Sequence, residues 1–164
     1  MSNRTILVAI LLSGFFSAPA RADHFTIDLE VKAGGASKTV KADKAALGVK
    51  AKERQALTAK AAATMTVKWT VTSTAKTGVV KDVLVHFFVV REEKLGQASV
   101  PKLDKDVAAE SALTMDFKPK DKATGELSFT IAAPGIYLLR LETIGAASGA
   151  DGHEHFAALD LVIK

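Results

Sequence analysis

The sequence predicts an all-β protein, an antiparallel β-sandwich of about seven strands. Several short segments alternate apolar and polar residues with a period of two, and turn signals rich in glycine and proline separate them. One run, Val79 to Arg91, is apolar at both parities. That pattern is typical of a central strand covered on both faces, or of one whose second face meets a partner. Together these features favour two packed sheets joined by short turns and one long connection.

The first half of the chain contains two clear alternating strands. Phe25 to Lys32 places its apolar residues on one face and is followed by a pair of glycines. Met65 to Thr72 repeats the pattern, and we expect its Trp69 to anchor the core. Between them, residues 38–63 are rich in alanine and lysine, and Gly48 interrupts the helical pattern, so irregular structure or edge strands are favoured over a charged helix. The lysines there indicate a solvated edge rather than a site for an anionic ligand.

In the second half of the chain, the remaining strands are expected after a long charged segment. Residues 92–110 contain a proline and many charges, so we expect a connection with one short helix around Val107 to Ala112. Its acidic pair Glu92-Glu93 is interpreted as solvating groups. Beyond it, turn signals such as Pro134-Gly135 separate the remaining strands. Those strands are expected near residues 113–117, 127–131, 136–143 and 157–163.

The N-terminus has the three parts of a secretory signal peptide. Asn3 and Arg4 precede an apolar run, and Ala20-Arg21-Ala22 matches an A-x-A cleavage site. We therefore predict a signal peptide over residues 1–22 and a single β-sandwich domain over residues 23–164, in a protein that is secreted or periplasmic. Nothing from Asp23 onward approaches the roughly eighteen apolar residues of a membrane-spanning helix.

Composition excludes several classes of function. Arg4 and Arg21 belong to the signal, so the mature chain has 20 basic and 18 acidic residues. Basic and acidic residues are interleaved along most of the chain, which makes nucleic acid an unexpected partner. The sequence has no cysteine, which excludes disulfides, thiol nucleophiles, cysteine-ligated metals and a lipid-anchored N-terminal cysteine.

Two segments resemble strands of bacterial immunoglobulin-like and fibronectin-III-like domains. They are Ala63 to Val71, similar to the second strand, and Pro134 to Leu141, similar to the penultimate one. The resemblance implies a sandwich fold and does not imply an activity. It also offers two interpretations of Tyr137, a tyrosine corner or an ordinary packed strand tyrosine. The inter-sheet disulfide usual in that family cannot form here.

The four histidines provide the only candidate metal site. His153 and His155 are two residues apart, so on an extended strand they would share a face and could converge on one Cu or Zn ion. A third ligand would come from Asp151, from His24 beside the new N-terminus, or from Glu142 on the strand expected to pair with this one. The alternative is a pair of solvated surface histidines. His86 lies in the most apolar strand and is interpreted as a packed, hydrogen-bonded histidine.

No catalytic motif appears in the sequence. The serine of Gly145 to Gly149 is at the wrong spacing for a nucleophile elbow, and there is no zinc-protease, phosphate-loop or EF-hand pattern. We therefore expect no enzyme and no cofactor. The leading hypothesis is a non-catalytic binding or structural module of the cell envelope, whose partner is a protein or another envelope component. The alternative is a periplasmic Cu- or Zn-binding protein that uses His153 and His155.

Overall fold

The computed structural model describes residues 25–41, 54–145 and 153–164, and every structural statement below concerns those residues. They form nine β-strands and no helix. No helix long and apolar enough to cross a membrane therefore occurs in them. The strands are β1 (Phe25–Ala33), β2 (Ala36–Lys41), β3 (Ala56–Ala59), β4 (Thr64–Ser73), β5 (Val80–Glu92), β6 (Val107–Phe117), β7 (Lys122–Thr130), β8 (Gly135–Ile144) and β9 (His153–Ile163).

The strands form two sheets in a sandwich-like arrangement. The four-stranded sheet has the order β2-β1-β4-β7, and the five-stranded sheet has the order β3-β9-β8-β5-β6. All neighbours are antiparallel except β3 and β9, which run parallel. The all-β prediction is confirmed. The second sheet is mixed rather than purely antiparallel because β3 pairs with the last strand of the chain.

The described chain has nine strands where about seven were expected, because the alanine- and lysine-rich segment supplies two more. β2 and β3 both lie at sheet edges. Five of the six residues of β2 are exposed, so no apolar face marks it in the sequence, and β3 is only four residues long. The edge-strand interpretation of this segment is confirmed for these two stretches, whereas residues 42–53 lie outside the described residues.

The inner faces of both sheets form one apolar core. Buried and exposed residues alternate along β1 and β4, as the sequence predicts. Trp69 is 9% exposed and belongs to this core. At one end of it, the rings of Phe25 and Phe117 meet edge to face at 4.9 Å. The core therefore joins the first strand of one sheet to the last residue of an edge strand of the other.

β5 is covered on both faces. Its inner residues, such as Val85 and Phe87, lie in the main core. Its outer residues Phe88 and Val90 form a second, smaller cluster with Leu138 of β8. Leu103, from the connection between β5 and β6, packs against that cluster. The expectation that both faces of this strand are covered is confirmed, and part of the cover comes from the chain itself.

The prediction of a short helix around Val107 to Ala112 is wrong. These residues form the first half of β6 and pair with the end of β5, where Val107 lies opposite Val90 and Ala112 opposite His86. Three alanines in this stretch give no apolar alternation, so the strand has no period-two signal in the sequence. Its pairing with a strongly apolar neighbour determines its conformation.

Candidate functional site

The outer face of the five-stranded sheet carries the candidate site. On β8, Arg140 and Glu142 follow Leu138 at alternate positions and therefore point to the same outer face. Both are buried, at 8% and 4% exposure. The register places Glu142 opposite His86 on β5 and opposite Phe156 on β9. Ionisable side chains thus occupy the centre of a sheet rather than its rim.

These side chains form a chain of hydrogen bonds across three strands. Nε of Arg140 donates to Oε2 of Glu142 at 2.6 Å. The other oxygen of Glu142 lies 3.3 Å from Nδ1 of His86, whose Nε2 lies 2.9 Å from Oε1 of Glu110 on β6. The guanidinium of Arg140 stacks over the ring of Phe156, 3.9 Å from its centroid. His86 is therefore packed and hydrogen-bonded, as its place in the sequence predicts.

A second charged group lies at the other end of the same face. Nε of Arg54 donates to Oδ1 of Asp160 at 2.5 Å, and its Nη2 donates to both oxygens of Glu92 at 2.7 and 2.8 Å. Its Nη1 donates to the carbonyl of Gln97 at 2.8 Å. The second oxygen of Asp160 accepts the backbone N–H of Gly96 at 2.7 Å. We call these three side chains, Arg54, Glu92 and Asp160, the clamp.

Burial alters the acid–base properties of two of these groups. Burial raises the pKa of Glu92 above its ordinary value; the charge of Arg54 lowers it, and the nearby charge of Asp160 raises it further. Burial likewise lowers the pKa of Arg140, and its ion pair with Glu142 opposes that shift. Each group is thus held where its charged form is costly unless a partner remains in place.

The clamp residues were not predicted as functional. Glu92 was interpreted as a solvating group, and that interpretation is wrong, because its side chain is fully buried against Arg54. Its neighbour Glu93 is exposed, as expected. A usable signal existed in Asp160, Arg140 and Glu142, since each interrupts an otherwise apolar strand. The sequence could not reveal their partners, because Arg54 and Asp160 are 106 residues apart along the chain.

The structure places only part of the proposed histidine site. His24 and Asp151 lie outside the described residues, and of His153 only the backbone is described. His155 is 5% exposed and has the parity of Ala157 and Leu159, which face the core. The alternative of solvated surface histidines is therefore wrong for His155.

The pairing of β8 with β9 also bears on the histidine hypothesis. His155 lies opposite Thr143, and the register then shifts so that His153 lies opposite Ile144. Such an irregularity interrupts the strict alternation on which two-apart residues share a face. Within the described residues, no three side chains of His, Asp or Glu are grouped to hold a metal ion. The Cu or Zn site stays a prediction.

Two shallow troughs open on the surface. The larger, about 460 Å³, lies on the outer face of the four-stranded sheet, between the polar side chains of Asp28, Glu30, Lys68 and Glu126. The smaller, about 290 Å³, lies beside Arg91, Asp106 and Tyr137. Both are open to solvent rather than enclosed, unlike most small-molecule sites.

Comparisons with known proteins find similarity at the level of structure. No family model matches the chain, and no curated protein matches it. Among solved structures, the C-terminal domain of Wzt aligns with 83% of this chain and 70% of that one, with 9% sequence identity and a TM-score of 0.46. The fold described above rests on the strand pairing of the chain itself.

Proposed function

We propose that the protein is an exported, non-catalytic binding or structural module of the cell envelope, built on an immunoglobulin-like β-sandwich. The observation that carries the binding role is the outer edge of β6, which pairs with no further strand in the described part of the chain. The signal peptide predicted over residues 1–22 supports the location. The sheet order supports the immunoglobulin-like topology. The hydrogen-bonded state of the buried charges supports the non-catalytic role, and the β6 edge supports binding to a partner.

The sheet order supports an immunoglobulin-like topology. In that fold the sheets have the orders A-B-E-D and G-F-C, and the variable type adds C′ beside C. Here β1-β4-β7 corresponds to A-B-E, and β9-β8-β5-β6 corresponds to G-F-C-C′. Tyr137, near the start of the F equivalent, donates its hydroxyl to the carbonyl of Ala133 at 3.0 Å. A tyrosine corner would make an upstream bond of this kind, which favours that interpretation of Tyr137 over an ordinary packed tyrosine.

The state of the buried charges supports a non-catalytic role. Catalytic acids and bases need an open path to a substrate atom. Both oxygens of Glu92 accept from Arg54, and the two oxygens of Asp160 accept from Arg54 and Gly96. Glu142 is held between Arg140 and His86. These groups therefore hold the fold together rather than face a substrate cavity.

The edge strand β6 supports binding to a partner. It is eleven residues long and contains no lysine, arginine or proline, although it carries Glu110 and Asp116 and its register with β5 is irregular near both ends. Seven consecutive residue pairs, from Val83–Met115 to Val89–Ala109, join it to β5 in unbroken register. Leu113, at the middle, is 39% exposed, and Met115 and Phe129 are partly buried and pack against the main core. The geometry suits an extended partner segment with alternating apolar side chains, added as a further strand.

Site-specific photo-crosslinking in the producing cell tests this function. A photoreactive amino acid at Leu113 should give a discrete adduct with one envelope component. The same residue at Val79, which is 46% exposed but lies outside any strand, is the matched control and should not. Ser111→Lys adds an edge charge and should abolish the Leu113 adduct. Equal labelling at Leu113 and Val79, or no adduct at Leu113, would contradict the proposal.

A further inference from the structure

The connection between β5 and β6, residues 93–106, lies over the outer face of the five-stranded sheet, and we call it the strap. It is attached at two places. Near its start, the carbonyl of Gln97 accepts from Arg54 and the N–H of Gly96 donates to Asp160. Near its end, Leu103 packs on the apolar cluster of Phe88, Val90 and Leu138. The clamp therefore holds one end of the strap by polar contacts, while apolar packing holds the other.

The clamp contains more buried negative charge than positive. The side chains of Glu92 and Asp160 are 0% and 1% exposed, and both bind the single guanidinium of Arg54, which is 17% exposed. With both carboxylates ionised, the clamp has one surplus negative charge out of contact with water. A proton on one carboxylate would remove that surplus.

Among the residues that the structure describes, no second cation forms an ion pair with Glu92 or Asp160. From the strap, Gly96 and Gln97 present backbone groups, and from β8 the residue opposite Glu92 is the apolar Ile136. The nearest charged group on β8 is Arg140. Its charge interacts with that of Arg54, but its side chain donates its hydrogen bond to Glu142. Glu93 and Lys94, the next residues along the chain, are exposed.

We propose that the strap is a latch that a proton tightens: it closes more firmly as the pH falls and loosens as the pH rises. Opening the strap separates Gly96 and Gln97 from the clamp and admits water to both carboxylates. The apolar patch of Phe88, Val90 and Leu138 is exposed in the same step. The latch thus couples proton release to the uncovering of an apolar surface.

The direction of the effect follows from linkage. Burial raises the pKa of Glu92 in the closed state. In the open state the carboxyl meets water and its pKa returns toward the ordinary value, so the closed state binds the proton more tightly. Closure is therefore most favoured below the ordinary pKa of a glutamate. That gain is lost as the pH rises through the raised pKa of Glu92.

Hydrogen exchange of the full chain, read by mass spectrometry and corrected for the intrinsic pH dependence of exchange, tests the latch. The opening constant of strap amides should rise several-fold between pH 5 and pH 8. Amides of β8 report global unfolding and serve as the internal reference. Glu92→Gln removes the titrating group and should leave a strap whose opening does not depend on pH. The matched control, Glu93→Gln, changes an exposed neighbour and should keep the wild-type pH dependence.

Three results would overturn the latch. One is strap opening in the wild type that is independent of pH, or greater at pH 5 than at pH 8. Another is an unchanged pH dependence in Glu92→Gln. The third is loss of the pH dependence in Glu93→Gln to the same extent. The first of these needs no variant, so it decides the matter even if Glu92→Gln fails to fold.

Discussion

Trp69 and Gly125 face each other across two paired strands of the four-stranded sheet. A Cβ atom at Gly125 would overlap the indole ring, so the absence of a side chain at position 125 makes room for Trp69. The ring belongs to the main core, and β7, the strand that carries Gly125, is the edge strand of this sheet. Packing at this point therefore depends on two residues 56 positions apart in the printed sequence.

Substituting either residue of this contact gives a prediction for the free energy of unfolding. Trp69→Ala should lower the free energy of unfolding by about 3–5 kcal/mol, because it removes a large buried aromatic side chain. Gly125→Ala should cost about 1–3 kcal/mol by displacing the ring. Denaturant unfolding measures both. Gly35→Ala, where a Cβ would meet nothing within 4 Å, is the matched control and should be close to neutral. A loss under about 1 kcal/mol for Trp69→Ala would place the indole outside the core.

A structural role of His155 can be distinguished from metal binding by the conditions under which its replacement lowers the melting temperature. Because it is buried on the core-facing parity of β9, His155→Ala should lower the melting temperature in metal-free buffer containing a chelator. A residue whose role is to bind Cu or Zn would instead show its effect only when metal is present. Thermal unfolding with chelator and with added Zn²⁺ distinguishes the two. An unchanged melting temperature in chelator would argue against the structural role.

At the scale of elements, strands with an apolar side were predictable and small-residue edges were not. β1 and β4 alternate buried and exposed residues, so their sequences indicate their faces. For β5, the prediction that both faces are covered was correct, because apolar residues occupy both alternating sets of positions along the strand. β6 begins with three alanines among its first six residues and gave no such signal. Its conformation depends on β5, which the local sequence does not show.

The candidate site was the least predictable part of the molecule. Glu142 and Asp160 stand out in the sequence as charges within apolar strands, which indicates partners without identifying them. Those partners come from distant segments: Glu142 is 56 residues from His86, and Asp160 is 64 residues from Gly96. Only the sheet order brings them together. The strap likewise appears in the sequence as an ordinary charged connection.

At the scale of the whole molecule, the sheets leave two kinds of outer surface. The outer face of the four-stranded sheet is polar and open, with exposed ion pairs such as Lys68–Glu126 at 3.4 Å. The five-stranded sheet is covered in part by the strap and ends in the edge strand β6. Under the proposed function, a partner strand would add on the side of β6 and β7, opposite the lysine-bearing β2.

Export is the claim on which the functional proposal depends most directly, because an envelope module must reach the envelope. Intact mass and N-terminal sequencing of the protein recovered from the periplasmic fraction or the medium test it. The account predicts a mature chain that begins at Asp23, after cleavage at Ala20-Arg21-Ala22. A chain that keeps its apolar N-terminal segment, or one found only in the cytoplasmic fraction, would contradict it.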